Sequence, residues 1–197
     1  MNDVTLYHAI PSRGMIVKWM LEELGVKYTE KVLVLDKQEH KTPAFLAMNP
    51  MGRVPVLTHG DQVITESAAI CAYLAETFPE KGLDVPPGSP LRGQYLRWLF
   101  FAPASAEPSI LWQAIGAHAD GDYAPYATVE DVADTLRKAV RDREFIVGDH
   151  FTTADILIGS TIFWGLNLMP VLPPHPELVE YWSRLAKREA WQRASGD

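Results

Sequence analysis

The sequence predicts an α/β domain followed by a domain built from helices alone. In the first part of the chain, short strand-like segments alternate with amphipathic helical segments, whereas beyond residue 90 only helical periodicity is found. Between the two parts lies a stretch that is rich in turn-forming residues, namely Pro79, Gly82, Pro86, Pro87, Gly88 and Pro90. We therefore expect domains at residues 1–79 and 91–197, joined by a linker at 80–90.

The opening residues predict a strand and a helix. Val4-Thr5-Leu6-Tyr7 alternates like a short strand, and Pro11-Ser12-Arg13 then begins an amphipathic helix that Gly25 ends. The apolar face of this helix holds Met15, Ile16, Trp19, Met20 and Leu24. A second strand is predicted over residues 28–35, followed by a polar stretch at 36–41.

A proline marks the beginning of the next strand. Pro55 has no N–H for a β-ladder, so it belongs at a strand start or in a turn, and its bond to Val54 is a candidate cis peptide. A cis bond would turn the main chain of Val54 outward. Its N–H and C=O could then pair with an extended peptide, as in a short antiparallel ladder.

The pair Glu66-Ser67 stands directly before an apolar helical run, so a helix is expected to begin near Ser67. The unpaired N–H groups of a first helical turn suit a carboxylate, and a neighbouring acid suits an ammonium group. An α-amino-acid head group would satisfy both. The alternative is that Thr65 or Ser67 is only an N-cap and that Glu66 only compensates the helix dipole.

Two motifs together identify a family resemblance. Asn-Pro-x-Gly-x-Val-Pro from Asn49 and Glu-Ser-x-Ala-Ile from Glu66 resemble the glutathione-binding domain of the glutathione S-transferase family. Leu-Tyr-x-x-x-Pro-Ser-Arg from Leu6 is similar to the serine-type and bacterial members. The resemblance implies a thioredoxin-like N-terminal domain, an all-α C-terminal domain, glutathione as co-substrate and a homodimer. It covers nearly the whole chain and is strongest over residues 4–80.

The resemblance implies that Ser12 contacts the glutathione sulfur. The thiolate is the nucleophile, and a free thiol of pKa roughly 8.5 is only a few per cent ionised at neutral pH. A hydroxyl that donates a hydrogen bond to the sulfur would favour the anion, so Ser12 would act as a donor and not as a base. Two alternatives stay open: Tyr7, near the position of the tyrosine-type hydroxyl, and an ordinary N-cap role for Ser12.

The remaining glutathione contacts are also carried over from the resemblance. His40 matches a family position that contacts the glycine carboxylate, and Arg53 could reach the same region. His40 could instead be a solvated loop residue. The residues expected to bind glutathione are therefore His40, Arg53, Val54, Pro55, Glu66 and Ser67. One departure is Ala68, where many serine-type relatives carry arginine, so one polar contact near the γ-glutamyl group is missing or comes from elsewhere.

Composition and net charge limit the classes of binding partner that we expect for this protein. A chain of 197 residues with 47% hydrophobic content can hold one large or two small domains. A net charge of −7 argues against nucleic acid, and no apolar run approaches the roughly 18 residues that cross a bilayer. We expect a cytoplasmic protein without a membrane partner and, from histidine spacing, without a metal. The single cysteine, Cys71, is expected to be a buried helical residue and not a catalytic thiol.

The sequence of the second domain also predicts where its helices begin, break and end. Pro103 and Pro108 should kink or break the helix that begins near Leu91, and a further helix is expected at residues 129–143. Thr152 and Asp155 form a capping box with a structural role, and the apolar stretch 156–168 that follows should be the buried central helix.

The electrophile is expected between the two domains. Candidates for its apolar walls are aromatic: Phe100, Phe101, Trp112, Tyr123, Tyr126 and Trp164. The expected reaction is detoxifying conjugation of a small hydrophobic electrophile. A glutathione-dependent peroxidase or disulfide reductase, and a non-catalytic binding protein, are the alternatives, whereas the absent Ser-Ser-Cys run argues against maleylacetoacetate isomerisation.

Overall fold

A computed structural model of the chain describes residues 3–117 and 127–196. The chain forms two compact units, the first made of Met1–Lys81 together with Glu189–Asp197 and the second of Gly82–Arg188. None of the helices in the described ranges is long and apolar enough to cross a membrane.

The first unit contains a four-stranded sheet. Its strands are β1 Val4–His8, β2 Thr29–Val32, β3 Val56–His59 and β4 Gln62–Thr65. Their order is β2-β1-β3-β4; β1 is parallel to β2 and antiparallel to β3, which is antiparallel to β4. β2 is shorter than the predicted strand 28–35 because it is an edge strand that pairs only with the short β1, and a 3₁₀ turn at Leu35–Lys37 follows it.

The described part of this unit also contains four α-helices: α1 Gly14–Leu24, α2 Pro43–Met48, α3 Ser67–Thr77 and α9 Glu189–Ser195. Gly25 ends α1 in the left-handed conformation at φ 64°, as predicted. The last helix differs from the expected assignment to the helical domain. α9 packs on α1, where the rings of Trp19 and Trp191 lie 5.1 Å apart and Arg193 Nε donates to Glu22 Oε2 at 2.8 Å.

The described part of the second unit is helical. Its elements are α4 Arg92–Phe101, α5 Glu107–Ala114, α6 Val129–Val140, α7 Thr153–Phe163 and α8 Pro176–Leu185. A π-helical turn at Ala102–Ala106 joins α4 to α5. The α-helical hydrogen-bond pattern is thus interrupted at Pro103, as expected, but the chain stays helical. The predicted helix 129–143 ends earlier, at Val140.

Helix α7 is the buried helix of the second unit. Asp155 Oδ2 accepts from the Thr152 N–H at 2.8 Å, which confirms the predicted capping box, and Asp155 Oδ1 accepts from Ile146 N–H at 2.8 Å and from Tyr181 O–H at 2.6 Å. Every residue from Thr153 to Ile162 is buried. The prediction of a buried helix to residue 168 was wrong at its end, because residues 164–168 form a π-helical turn in which Leu168 is 59% exposed.

Candidate functional site

Sheet register brings the predicted segments to one end of the first unit. Tyr7 of β1 pairs with Val56 of β3, and Val56 pairs with Thr65 of β4. The loop after β1, the residues before β3 and the residues after β4 therefore lie side by side. These three segments carry Ser12, the Val54-Pro55 bond and the Glu66-Ser67 pair. Strand pairing therefore places all three at the same end of the sheet.

Ser12 lies in the turn between β1 and α1 and is half-buried. Its Oγ accepts hydrogen bonds from the Gly14 N–H at 3.0 Å and from the Ala9 N–H at 3.3 Å. A hydroxyl has two acceptor lone pairs and one hydrogen. Both acceptor positions are engaged by the main chain, and within residues 3–117 and 127–196 no acceptor takes the Ser12 O–H, so it can donate to a ligand atom. Arg13, directly before the first residue of α1, already has helical φ and ψ, and the bond from the Gly14 N–H to Ser12 Oγ is the bond that an N-cap serine makes, so Ser12 also caps the first turn of α1.

A small cavity of about 130 Å³ opens beside Ser12. Its walls come from the β1–α1 turn, from α1 and from the end of α9, and they include His8, Ile10, Pro11, Ser12, Met15, Lys18, Ala194 and Ser195. No role was predicted for His8 from the sequence. It is only 2% exposed, and its Nε2 lies 2.6 Å from Glu30 Oε1.

Glu30 is held between two partners. Lys18 Nζ lies 3.1 Å from the same oxygen that His8 contacts. Partial burial raises the pKa of the Glu30 carboxyl, but the hydrogen bonds from Lys18 and His8 outweigh it and hold that pKa below its ordinary value of 4.5. Glu30 is therefore an ionised acceptor for both side chains.

The loop before β3 is fixed by Asn49, which is buried. Its Nδ2 donates to the Arg53 C=O at 2.9 Å, and its Oδ1 accepts from the Met51 N–H at 3.1 Å. The Gly52 N–H donates to the Asn49 C=O at 2.8 Å, closing a turn. Asn49 belongs to the Asn-Pro-x-Gly-x-Val-Pro motif, but no role was predicted for it. The signal that could have indicated its role is the preference for asparagine at the beginning of such a turn.

The same loop approaches the 3₁₀ turn that carries His40. At Gly52, where φ is +55°, a Cβ would come within 3.0 Å of the His40 carbonyl, so both conformation and space favour glycine. Lys41 Nζ donates to the Met51 C=O at 3.1 Å. His40 is half-buried, and its Nδ1 is buried without a hydrogen-bond partner in the described part of the chain.

The bond between Val54 and Pro55 is cis, which confirms that prediction. Val54 is half-buried and Pro55 is buried. Across residues 3–117 and 127–196, Val54 forms no hydrogen bond through its N–H or C=O, so both groups can serve a ligand. Arg53, whose side chain is exposed, precedes it. The bond between Ile10 and Pro11, next to Ser12, is also cis and was not predicted.

Helix α3 begins at Ser67, as predicted, and Glu66 takes the N-cap position without a side-chain capping bond. Glu66 has φ 68° and ψ 118°, a conformation that non-glycine residues adopt at a cost of roughly 1–3 kcal/mol and that is concentrated at functional sites. Its side chain is exposed. Within the described residues the Glu66 carboxylate has no partner, so the geometry offers a carboxylate beside the N–H groups of a helix start and not the ordinary capping arrangement.

Tyr7 is the alternative contact for the glutathione thiol, and Cys71 was expected to be a buried residue and not a catalytic thiol. Tyr7 packs its ring edge-on against Phe45 at 6.4 Å between centroids, with Lys31 Nζ 5.2 Å from its ring centroid. Cys71 is fully buried in α3, and burial raises the pKa of its thiol far above the ordinary value. A thiol of that kind is neutral at physiological pH and unreactive.

The candidate aromatic walls of the electrophile site have mixed exposure. Phe100 at the end of α4 is 67% exposed, whereas Phe101, Trp112 and Trp164 are partly buried. Tyr123 and Tyr126 lie outside the described residues. The assignment of these side chains to an electrophile site stays a prediction.

Fold and site together define a class: a thioredoxin-like domain with a cis-proline loop and a Glu-Ser helix start, joined to a helical domain. Two family models match the chain, the glutathione S-transferase N-terminal domain over residues 2–76 and the C-terminal domain over residues 126–189. Glutathione S-transferase 1 of Schizosaccharomyces pombe is 33% identical over 185 residues, which cover 87% of this chain and 78% of that protein. The chain belongs to the glutathione S-transferase family and is therefore a transferase enzyme.

Two further relatives support the assignment to this family. Glutathione S-transferase 3 of Zea mays is 29% identical over 198 residues, covering 90% of this chain and 86% of the maize protein. The theta-class glutathione S-transferase of Xanthomonas axonopodis pv. citri, solved with glutathione bound, is 28% identical and has a TM-score of 0.78, covering 98% of this chain and 97% of that one.

Proposed function

We propose that this enzyme activates glutathione as a thiolate and transfers it to a small hydrophobic electrophile, with Ser12 as the donor to the sulfur in the manner of serine-type bacterial members. One observation carries the proposal. The Ser12 Oγ is engaged as an acceptor by two main-chain N–H groups, which leaves its hydrogen for the sulfur. The segments that would hold the rest of glutathione lie at the same end of the sheet.

The two ends of glutathione have separate partners in this proposal. The Glu66 carboxylate pairs with the γ-glutamyl ammonium, and the first turn of α3 from Ser67 binds the α-carboxylate. Val54 offers its N–H and C=O to the cysteinyl main chain. His40 and Arg53 serve the glycine carboxylate, since Lys41, the other cation there, already donates to Met51.

The wider setting is part of the proposal. Relatives named as glutathione S-transferases, and the theta-class structure with glutathione bound, support glutathione as the co-substrate. We expect a cytoplasmic homodimer that detoxifies electrophiles without using a metal.

The test is a pH titration of the ultraviolet absorbance of the glutathione thiolate, bound to wild type and to Ser12→Ala. One net hydrogen bond to a charged group is worth about 1.5–3 kcal/mol, and one pKa unit is about 1.4 kcal/mol. Ser12→Ala should therefore raise the pKa of the bound thiol by about 1–2 units. Tyr7→Phe is the matched control and should leave that pKa unchanged.

Swapped effects of the two variants would assign the thiol to Tyr7. If glutathione binds to wild type without a change in the pKa of its thiol, the protein binds glutathione but does not activate it, and the proposed thiolate transfer is wrong. Turnover of cumene hydroperoxide without turnover of a generic aryl halide would replace conjugation by glutathione-dependent reduction.

A further inference from the structure

His8 is a buried histidine at the end of β1, directly before the turn that contains Ser12. His8 ends β1 on the same buried side as Val4 and Leu6, and it is 2% exposed. Its Nε2 bonds to Glu30 Oε1 at 2.6 Å, and Lys18 Nζ contacts the same oxygen. Because the ionised carboxylate can only accept, the Nε2 atom carries the hydrogen of this bond. The bond from β1 to β2 fixes the orientation of the imidazole ring.

The other side of this ring meets the beginning of α1. At Gly14 an added Cβ would overlap the Cβ of His8 and would lie 2.8 Å from both Cγ and Nδ1 of the ring. The His8 side chain therefore packs directly against the Gly14 main chain. Gly14 is also the residue whose N–H donates to Ser12 Oγ at 3.0 Å. A chain of contacts thus leads from Glu30 through His8 and Gly14 to the Ser12 hydroxyl.

We propose that His8 is a positioning residue: held by Glu30, its ring fixes Gly14 so that the Gly14 N–H engages Ser12 Oγ and the Ser12 hydrogen is directed to the ligand. The proposal rests on the proposed role of Ser12. It explains why the end of β1 carries a polar ring where the strand interior carries Val4 and Leu6, since an aliphatic side chain has no bond that fixes its orientation against Gly14. The cavity beside Ser12 includes both His8 and Lys18 in its wall.

The first measurement needs no ligand. Amide hydrogen exchange of Gly14, followed by NMR, reports its hydrogen bond to Ser12 directly. His8→Leu keeps the bulk of the side chain but loses the bond to Glu30, and it should speed Gly14 exchange by about tenfold, as expected for the loss of one net hydrogen bond. Ser12→Ala removes the acceptor of this bond and gives the Gly14 exchange rate expected when the bond is lost completely. His59→Leu is the matched control, because His59 is a half-buried histidine of the same unit, bonded to Tyr73 at 2.9 Å, away from Ser12.

The second measurement is the pKa of the bound glutathione thiol. His8→Leu should raise it by at least half of the rise caused by Ser12→Ala, and it should add nothing in the Ser12→Ala background, because His8 acts through Ser12. Glu30→Gln keeps an acceptor for Nε2 and should rescue the wild-type value, whereas Glu30→Ala should resemble His8→Leu. Glu30→Ala also serves if His8→Leu does not fold.

The outcomes separate the two proposals. If His8→Leu and Glu30→Ala leave Gly14 exchange and the thiol pKa at wild-type values, or if His8→Leu raises the thiol pKa equally with and without Ser12, the positioning role is wrong and His8 is a core residue only. If wild type itself does not lower the thiol pKa, the proposed function fails. The Gly14 exchange rates would still show whether His8 holds the Ser12 turn.

Discussion

Asn49 allows a direct test of what holds the loop before β3, which we propose binds glutathione. Replacing Asn49 by alanine removes the bond from Nδ2 to the Arg53 C=O and the bond from the Met51 N–H to Oδ1. A net intramolecular hydrogen bond contributes about 0.5–1.5 kcal/mol, so two bonds amount to about 2 kcal/mol. Arg53 and Met51 are exposed, and water can replace part of the loss. We expect a decrease of about 1–2 kcal/mol in the free energy of unfolding.

The same change should weaken glutathione binding. Val54 follows Arg53 directly, so the freed loop must be ordered again when the ligand binds its main chain. If binding of glutathione must supply most of the free energy that the two Asn49 bonds contributed to ordering the loop, the Kd for glutathione rises by about tenfold, since 1.4 kcal/mol corresponds to a factor of ten. Urea unfolding measures the first effect and calorimetric titration with glutathione the second.

Two control variants sharpen this experiment. Asn49→Asp keeps the acceptor for the Met51 N–H but sets a carboxylate oxygen against the Arg53 C=O, so it should be at least as unstable as Asn49→Ala at neutral pH and should recover as the pH falls and the carboxyl is protonated. Asn167→Ala removes one exposed bond to the Phe163 C=O and should change neither quantity measurably. An Asn49→Ala protein within about 0.5 kcal/mol of wild type and with the same glutathione Kd would refute the reasoning.

Two further predictions concern Asp155 and Glu30. Asp155→Ala leaves the buried Ile146 N–H, Thr152 N–H and Tyr181 O–H without an acceptor and should cost about 4 kcal/mol in urea unfolding, against about 1–2 kcal/mol for Tyr181→Phe; equal losses would show that the carboxylate is not the anchor. Because the folded state depresses the Glu30 pKa below 4.5, its contribution is present above pH 4.5 and is lost as the pH falls through the lower folded value. Glu30→Gln should therefore show a shallower loss of stability below pH 4.5, and identical slopes would contradict the Glu30–Lys18–His8 contacts.

Local signals in the sequence predicted the local structure. Gly25 ends α1, α3 begins at Ser67, and Thr152 with Asp155 forms the capping box. Each of these features depends on interactions between residues within one helical turn of each other, so the residue types at neighbouring positions are enough to predict it. The cis bond before Pro55 follows from the same kind of local argument.

Contacts between distant residues could not be predicted in this way. The bond from His8 to Glu30 spans 22 positions and exists only because β1 and β2 pair in parallel. Residue type alone also did not reveal the left-handed φ of Glu66, because an acid beside a serine equally fits an ordinary helix cap. The strand 28–35 was predicted too long because an edge strand takes its length from its neighbour, which lies elsewhere in the sequence.

The packing of α9 on α1 makes the first unit discontinuous in sequence. Trp19 on α1 meets Trp191 from the other end of the chain, and Glu22 meets Arg193. During synthesis from the amino end, the sheet and α1 are therefore finished long before their last packing partner emerges. The face of α1 that carries Trp19 and Glu22 has no α9 partner until residues 189–195 have been synthesised, and a fragment cut at the linker would lack the Trp19–Trp191 contact.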